Sequence, residues 1–226
     1  MKEQQELFPS EKGHIGTDES GKGDYFGPLV VAGFFLPDGQ KDILTELGVK
    51  DSKRLSDNKI RGLAGILKQG YIHSLVAIGP EKYNELYSKL RNLNRLLAWG
   101  HARAIENILG TVYCNFAITD QFGDRLYVIN ALMKRGKKIE LIQKTKAEED
   151  MAVAAASILA RDEFLRRLYF LSKEVGIDLP KGSSPKAEET ALKLIDLNGV
   201  SILDKVAKKH FKLTKRILGI RETKKK

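Results

Sequence analysis

Acidic residues stand at several places in this 226-residue sequence where folding can bring them together. Asp18 and Glu19 are adjacent and precede a glycine-rich turn, and Asp120 ends the run "FAIT". Glu148 opens an acidic run directly before a long apolar helix pattern. Neighbouring carboxylates repel each other unless a cation lies between them, and oxygen-only ligands suit Mg²⁺ or Mn²⁺. The set indicates a metal site, although a lone Asp at a strand end is more often a cap or turn residue.

Two such ions, about 3.5–4 Å apart, stabilise the attacking water and the leaving oxygen in phosphodiester cleavage. Adjacent side chains on a regular strand face opposite ways, so Asp18 and Glu19 cannot both point inward unless the strand is distorted. Gly21 and Gly23 would permit such a distortion.

The stretch "GTDESGK" also begins like a phosphate-binding P-loop, G-x-x-x-x-G-K. Gly23 stands where a P-loop needs Ser or Thr to hold Mg²⁺, and Pro28 with the apolar run after it predicts a strand instead of a helix. Asp18 and Glu19 would repel a polyphosphate. We therefore expect no nucleotide cofactor.

The composition fits one α/β domain, since 42% of the residues are hydrophobic. No apolar run approaches the ~20 residues of a membrane span, and no signal-peptide pattern opens the chain, so we expect no membrane partner. The single cysteine, Cys114, lies in an apolar stretch and is expected to be a buried thiol in a cytoplasmic protein.

Positive charge is concentrated at the C-terminus. Residues 205–226 hold ten Lys or Arg and one acid, and thus nine of the ten net positive charges. Such a segment often binds polyanions, and the alternative is a solvated helix face with a frayed tail.

The hydrophobic pattern predicts a mixed sheet flanked by helices. Strands are predicted after the Gly16 stretch, at 71–78, in "YCNFAITDQF" and in "KIELIQK". Helices are predicted to end at Gly48, to begin after Ser56 and at Pro80, and to cover 151–175, 186–197 and 201–217. Within the helix from Pro80, we expect Trp99 in the core and His101 as a structural hydrogen-bonding residue. We expect a polar lead at 1–14, a catalytic domain at 15–200 and a basic helix and tail at 201–226.

The sequence resembles the type 2 ribonucleases H, most of all ribonuclease HIII, from Gly13 to Phe211 in six motifs: "GTDESGKGDYFGPLVVAG", "VKDSKRLSDNKI", "YNELYSKLRNLNRLLAWGHARAIENIL", "TDQF", "KTKAEEDMAVAAASILAR" and "LPKGSS". The resemblance implies an α/β ribonuclease-H-like fold, with a central mixed sheet flanked by helices and a helical C-terminal part. It also implies hydrolysis of the RNA strand of RNA–DNA hybrids with two Mg²⁺ or Mn²⁺ ions, leaving 5′-phosphate and 3′-hydroxyl ends.

The resemblance assigns catalytic and metal-binding roles to four acids. Asp18, Glu19 and Asp120 match the first three, and the fourth falls in "KAEED". We assign it to Glu148, and Glu149 stays open because the spacing to "AAAS" is ambiguous by one residue.

Nucleic-acid contacts are expected on loops. Gly21, Lys22 and Gly23 match the family segment that contacts the backbone around the scissile phosphate, where amides could bind a 2′-hydroxyl. Ribonuclease HII has Arg between these glycines and a Tyr farther along that recognises a single ribonucleotide, whereas this chain has Lys22 and "LPKGSSPKAEE". That departure favours cleavage within runs of ribonucleotides. Further predicted contacts, each with an ordinary structural or solvated role as the alternative, are Tyr25, Ser52, Lys53, Lys146, Lys181 and Ser183.

Two other functions stay open, namely incision at single ribonucleotides in duplex DNA and non-catalytic hybrid binding. Ribonuclease HIII usually carries an N-terminal domain resembling the TATA-box-binding protein, and we expect it to be absent because only about fifteen residues precede Gly16. We hypothesise that residues 205–226 partly supply the electrostatic grip of that domain. We expect a monomer.

Overall fold

The structure, a computed structural model, describes residues 12–224, with side chains through residue 219. Residues 1–11 of the predicted polar lead and the last two lysines of the predicted tail lie outside the described residues. The chain divides into two compact units, which comprise residues 12–20, 30–76 and 92–163, and residues 21–29, 77–91 and 164–224. The predicted boundaries at 15–200 and 201–226 stay a prediction.

The chain forms a five-stranded mixed sheet with the spatial order β3-β2-β1-β4-β5. The strands are β1 (Gly13–Ser20), β2 (Leu29–Pro37), β3 (His73–Ile78), β4 (Phe116–Asp120) and β5 (Glu140–Lys144). Strand β1 pairs antiparallel with β2 and parallel with β4, and β4 pairs parallel with β5. The carboxyl ends of β1, β4 and β5 therefore meet at one edge of the sheet.

Helices account for much of the remaining described chain. They are α1 (Lys41–Glu46), α2 (Asp57–Gly70), α3 (Pro80–Leu90), α4 (Leu93–Ile108), α5 (Arg125–Ala131), α6 (Met151–Val175), α7 (Pro185–Asn198), α8 (Ile202–Val206) and α9 (Lys212–Lys224). The predicted cap of α2 is confirmed, since the Ser56 hydroxyl accepts from the Lys59 N–H at 3.3 Å. The predicted mixed sheet with flanking helices is confirmed as well.

Two helix predictions are wrong, and one helix was not predicted. The helix predicted to continue from Pro80 breaks between α3 and α4, because Arg91 adopts a left-handed conformation (φ 48°) and the Asn92 side chain caps α4 by accepting from two N–H groups. The helix expected at 201–217 is interrupted between α8 and α9. The helix without a prediction is α5, which is capped by Asp124.

Two helices fix the sheet within the first unit. Helix α4 packs an apolar face that includes Ala102 and Ile105 against Ile15 of β1. Helix α6 approaches the opposite face, where a Cβ on Gly16 would lie 2.2 Å from the Val153 nitrogen. The prediction that Trp99 lies in the core is wrong. Its side chain is 37% exposed, with the Arg103 guanidinium 5.9 Å from its ring centroid.

In the second unit, Asn84 of α3 ties down the chain after α8. Its side-chain amide donates to the Ala207 carbonyl at 2.9 Å and accepts from the Lys209 N–H at 2.9 Å. Tyr83 beside it is buried. The basic C-terminal segment is thus packed over at least part of its length. Across residues 12–224, no helix has the length and apolar character to cross a membrane.

Candidate metal centre and nucleic-acid contacts

The parallel pairing of β1 with β4 places two predicted ligands side by side. Thr17 stands opposite Thr119 in the register, so Asp18 and Asp120 follow one residue later at the same edge. Both threonine hydroxyls face His101 of α4. Because side chains alternate along a strand, Asp18 and Asp120 point to the other face, which α6 covers at Gly16.

Glu148 lies on that same face of the sheet. It belongs to a 3₁₀ turn, Ala147–Glu149, that directly precedes α6. Ala147 packs with Ile118 of β4 and Val153 of α6, and Glu148 itself is half-buried. Strand β4 and the start of α6 thus bring Glu148 to the face that carries Asp18 and Asp120.

The next two acids have different surroundings. Glu149 is exposed and lines a small cavity together with His14 and Lys41. Asp150 caps α6, since its Oδ1 accepts from the N–H groups of the helix start, and its Oδ2 lies 3.0 Å from His14 Nε2. Burial raises the pKa of Asp150, but His14 and the backbone N–H groups lower it more, so the net shift is downward. These contacts favour Glu148 over Glu149 as the fourth acid.

Glu19 is held from the α4 side by His101. The His101 Nε2 lies 3.3 Å from Glu19 Oε2, and its Nδ1 lies 2.8 Å from Thr17 Oγ1 and 3.3 Å from Thr119 Oγ1. The two hydroxyls can donate to Nδ1, whereas Nε2 is buried at ion-pair distance from Glu19 without a hydrogen-bond partner among the described residues. The predicted hydrogen-bonding role of His101 is therefore correct for Nδ1, and the contact of Nε2 with Glu19 could not be read from the sequence.

Replacing His101 should weaken metal binding more than it changes the chemistry. In His101→Phe the ring volume is kept, and Glu19 loses the imidazole that orients it. We expect the Mn²⁺ concentration for half-maximal cleavage to rise about 10–100-fold, with activity restored at high Mn²⁺. His73→Phe on β3 is the matched control, since His73 contacts a backbone carbonyl. An unchanged Mn²⁺ requirement in His101→Phe would contradict the orienting role.

The electrostatics of the acids fit a divalent cation. Burial, the Glu19 charge and, to a smaller extent, the Asp120 charge raise the pKa of Asp18 to about 8. The Glu19 N–H, which donates to Asp18 Oδ1 at 2.8 Å, and the Lys53 charge oppose that rise. A cation among these oxygens would relieve both the repulsion and the burial cost. Within the described residues, no three His, Cys, Asp or Glu side chains converge in ligating geometry. The acids share an edge of the sheet without forming a closed cage.

In the second unit, the structure joins two of the predicted nucleic-acid segments. The turn that begins at Gly21 (φ 89°) closes with an Asp24 N–H to Gly21 carbonyl bond of 3.3 Å. The Asp24 carboxylate accepts from the Gly182 N–H at 2.6 Å, and the Tyr25 N–H donates to the Gly182 carbonyl at 2.9 Å. The turn with Lys22 and Gly23 and the loop with Lys181 and Ser183 therefore lie side by side.

The predicted nucleic-acid contact of the Tyr25 side chain does not agree with the structure. Its side chain is fully buried, with ring contacts to Phe26 and Phe211. Its hydroxyl lies 3.2 Å from Thr214 Oγ1. The ring is thus taken up by contacts within the protein, and Tyr25 supports the turn from inside.

The remaining predicted contacts lie in the first unit. Ser52 and Lys53 belong to a 3₁₀ turn, and the Ser52 N–H donates to Ser157 Oγ of α6 at 3.0 Å. Lys53 is exposed, and its charge acts on Asp18. Lys146 is exposed in a left-handed conformation (φ 56°) between β5 and the Glu148 turn. The positions of Lys53 and Lys146 are compatible with phosphate contacts near the acids.

Comparison with known proteins adds an independent finding. A family model described as Ribonuclease HII matches residues 15–214. Ribonuclease HIII of Protochlamydia amoebophila (strain UWE25) is 48% identical over 206 residues, which are 91% of this chain and 68% of that protein. Ribonuclease HIII of Chlamydia pneumoniae is 43% identical over 215 residues, or 92% of this chain and 70% of that protein. The crystal structure of Bst-RNase HIII in complex with Mn²⁺ is similar with a TM-score of 0.85 and 31% identity, covering 93% of this chain and 70% of that chain.

Proposed function

Because the chain belongs to the ribonuclease HII family, we propose that it hydrolyses the RNA strand of RNA–DNA hybrids, with its carboxylates holding two divalent ions. The chain is a ribonuclease H, a hydrolase. The products of the proposed reaction carry 5′-phosphate and 3′-hydroxyl ends. The observation that supports this reaction most strongly is the placement of Asp18 and Asp120 side by side on β1 and β4, with Glu148 on the same face of the sheet.

Each acid has its own part in the proposal. Asp18, Asp120 and Glu148 bind the ions from one face of the sheet, and Glu19 binds from the edge, held by His101. When bound, Mg²⁺ or Mn²⁺ supplies activation of the attacking water and stabilisation of the leaving oxygen. The acids are set on strand ends and at the start of a buried helix, which keeps the site rigid before substrate arrives. The crystallised Bst-RNase HIII complex contains Mn²⁺, in agreement with this use of the acids.

Substrate contacts are proposed for the loops. The exposed side chains of Lys53 and Lys146 would meet phosphates beside the acids, and backbone amides of Gly21–Gly23 would bind a 2′-hydroxyl. Lys181 and Ser183 would extend the contacts made by that turn, since Asp24 ties the two segments together. We propose that the chain cleaves within runs of ribonucleotides in preference to single ribonucleotides in duplex DNA.

The experiment is cleavage of three end-labelled duplexes by the native chain with Mg²⁺ or Mn²⁺. One is an RNA–DNA hybrid, one is duplex DNA with a single ribonucleotide, and one is all DNA. We expect several cuts in the RNA strand of the hybrid, weak cutting at the single ribonucleotide and none in DNA. Cutting at the single ribonucleotide alone would support the ribonuclease HII-like alternative. Hybrid binding without cleavage would support the non-catalytic alternative.

A further inference from the structure

Lys208 is a fully buried lysine in the second unit. Its ammonium lies 2.6 Å from the Gly27 carbonyl oxygen, 3.3 Å from that of Phe26 and 3.4 Å from that of Pro28. An ammonium has three N–H donors and no acceptor, so these three carbonyls match its hydrogen-bonding capacity. Lysine is rarely buried in full, because removing the charge from water is costly. Among the ten basic residues of the C-terminal segment, this one therefore does not supply surface charge.

The carbonyls that Lys208 binds belong to Phe26–Pro28, which follow Gly21–Gly23 after two intervening residues. The main chain repeats the connection, since the Lys208 N–H donates to the Tyr25 carbonyl at 2.8 Å and the Gly27 N–H donates to the Val206 carbonyl at 2.9 Å. A Cβ on Gly21 would lie 2.2 Å from the Pro28 carbonyl oxygen. The Pro28 carbonyl thus touches both Lys208 and Gly21, so a shift of one is passed to the other.

Asp24 links the same turn to the loop at Lys181–Ser183. Its carboxylate accepts from Gly182, and its negative charge favours the ammonium of Lys208. The side chains of Asp24 and Lys208 therefore both fix the chain at and just after the end of the turn.

We propose that Lys208 is a positioning residue for the nucleic-acid contacts of Gly21–Gly23 and of the adjoining Lys181–Ser183 loop. This inference rests on the proposed function. The ammonium binds three carbonyls and thereby fixes the segment Phe26–Pro28, against which Gly21 packs. A buried positive charge beneath the turn also attracts phosphate, because the protein interior screens it less than water does. Lys208 acts on the fit of the hybrid, not on the reacting atoms.

The first test compares Lys208→Met with Lys82→Met. Methionine keeps much of the length of the side chain and removes the charge. Lys82 of α3 is the matched control, since it is exposed, lies outside residues 205–226, and its ammonium pairs with Glu85 at 2.7 Å. We expect Lys208→Met to raise the KM for the hybrid about tenfold or more, with kcat at saturating hybrid within about threefold of native. Lys82→Met should change KM by less than about threefold.

The second test uses chains that keep Lys208 and varies the pH, so it does not depend on the Lys208 variant folding. Burial lowers the pKa of Lys208 to about 7, and Asp24 opposes that shift. Burial and the Lys208 charge lower the pKa of His210 to about 4, while burial raises that of Tyr83 and that of Tyr25. Between pH 6 and 9 the group in this cluster that changes charge is therefore Lys208.

As pH rises through about 7, the ammonium loses a proton and with it one of its three donors. We expect hybrid affinity, measured with the metal removed by EDTA, to fall severalfold between pH 6 and 9 in the native chain and also in Asp18→Asn, which removes the titration of Asp18 in the same range. A profile that stays flat in Asp18→Asn would overturn the inference. So would a folded Lys208→Met with native KM, or one that loses kcat alone. If the native chain neither binds nor cuts the hybrid, the proposed function fails, and this inference fails with it.

Discussion

Asp120→Asn is expected to abolish RNA cleavage while the chain still folds and binds the hybrid. The substitution keeps the size of the side chain and removes the charge that β4 places beside Asp18. Transition-state stabilisation by a bound ion contributes several kcal/mol, and each 1.36 kcal/mol is a factor of ten, so kcat should fall on the order of 10³-fold or more. Single-turnover cleavage of an end-labelled hybrid measures this loss, and gel shift in EDTA measures binding.

Asp124→Asn is the matched control for Asp120→Asn. Asp124 is an exposed acid four residues later that caps α5 through the Leu126 N–H. It should keep native kcat and lose little stability, because Asn is as good a cap as Asp. If Asp120→Asn cleaved within about tenfold of native while Asp124→Asn did the same, Asp120 would not be a metal ligand.

Gly16→Ala should destabilise the chain more than an added methyl group at an open position. The added Cβ would lie 2.2 Å from the Val153 nitrogen and 2.3 Å from the Ala152 carbonyl carbon, and these are backbone atoms that cannot rotate away. Overpacking of this kind costs about 1–3 kcal/mol and occasionally more. Because α6 would be pushed from β1, the Glu148 turn at its start should shift away from Asp18, so activity should fall as well.

The measurement is the midpoint of chemical denaturation, compared between the native chain, Gly16→Ala and Gly62→Ala. Gly62 lies inside α2, and a Cβ added there would have no neighbouring atom within 4 Å, so alanine should stabilise the helix by about 0.5–1 kcal/mol. We expect the two variants to move the midpoint in opposite directions. Small shifts of the midpoint in the same direction for both variants would show that the space between α6 and Gly16 of β1 can accept a methyl group.

Local sequence signals accounted for β2 to β5, the position of α6 and the cap at Ser56, because each depends on neighbouring residues, whereas β1 was not among the predicted strands. The break between α3 and α4 was not predicted, since it has no proline or glycine and relies on a left-handed arginine, Arg91. Alternation correctly indicated that Asp18 and Glu19 face different ways. The sequence did not reveal that His101 meets Glu19 on the other side, because that contact joins residues from separate elements.

Three residues show how tertiary packing changes an interpretation from the sequence. Tyr25 follows a glycine-rich turn and was expected to contact nucleic acid, but its ring is buried and packs against Phe26 and Phe211. Lys208 belongs to a basic segment that was expected to attract polyanions from the surface, yet it is buried among carbonyls. Gly16 begins a stretch similar to a P-loop, and the structure uses it for close contact between β1 and α6.

The most direct test of the central claim is metal dependence of cleavage by the native chain. The protein is stripped with EDTA, an end-labelled RNA–DNA hybrid is added, and Mg²⁺ or Mn²⁺ is then restored in steps. We predict no cleavage before metal is added, internal cuts in the RNA strand after it, and 5′-phosphate ends on the products. Cleavage that persists in EDTA, or binding of the hybrid without cutting at any Mg²⁺ or Mn²⁺ concentration, would contradict a metal site built from Asp18, Glu19, Asp120 and Glu148.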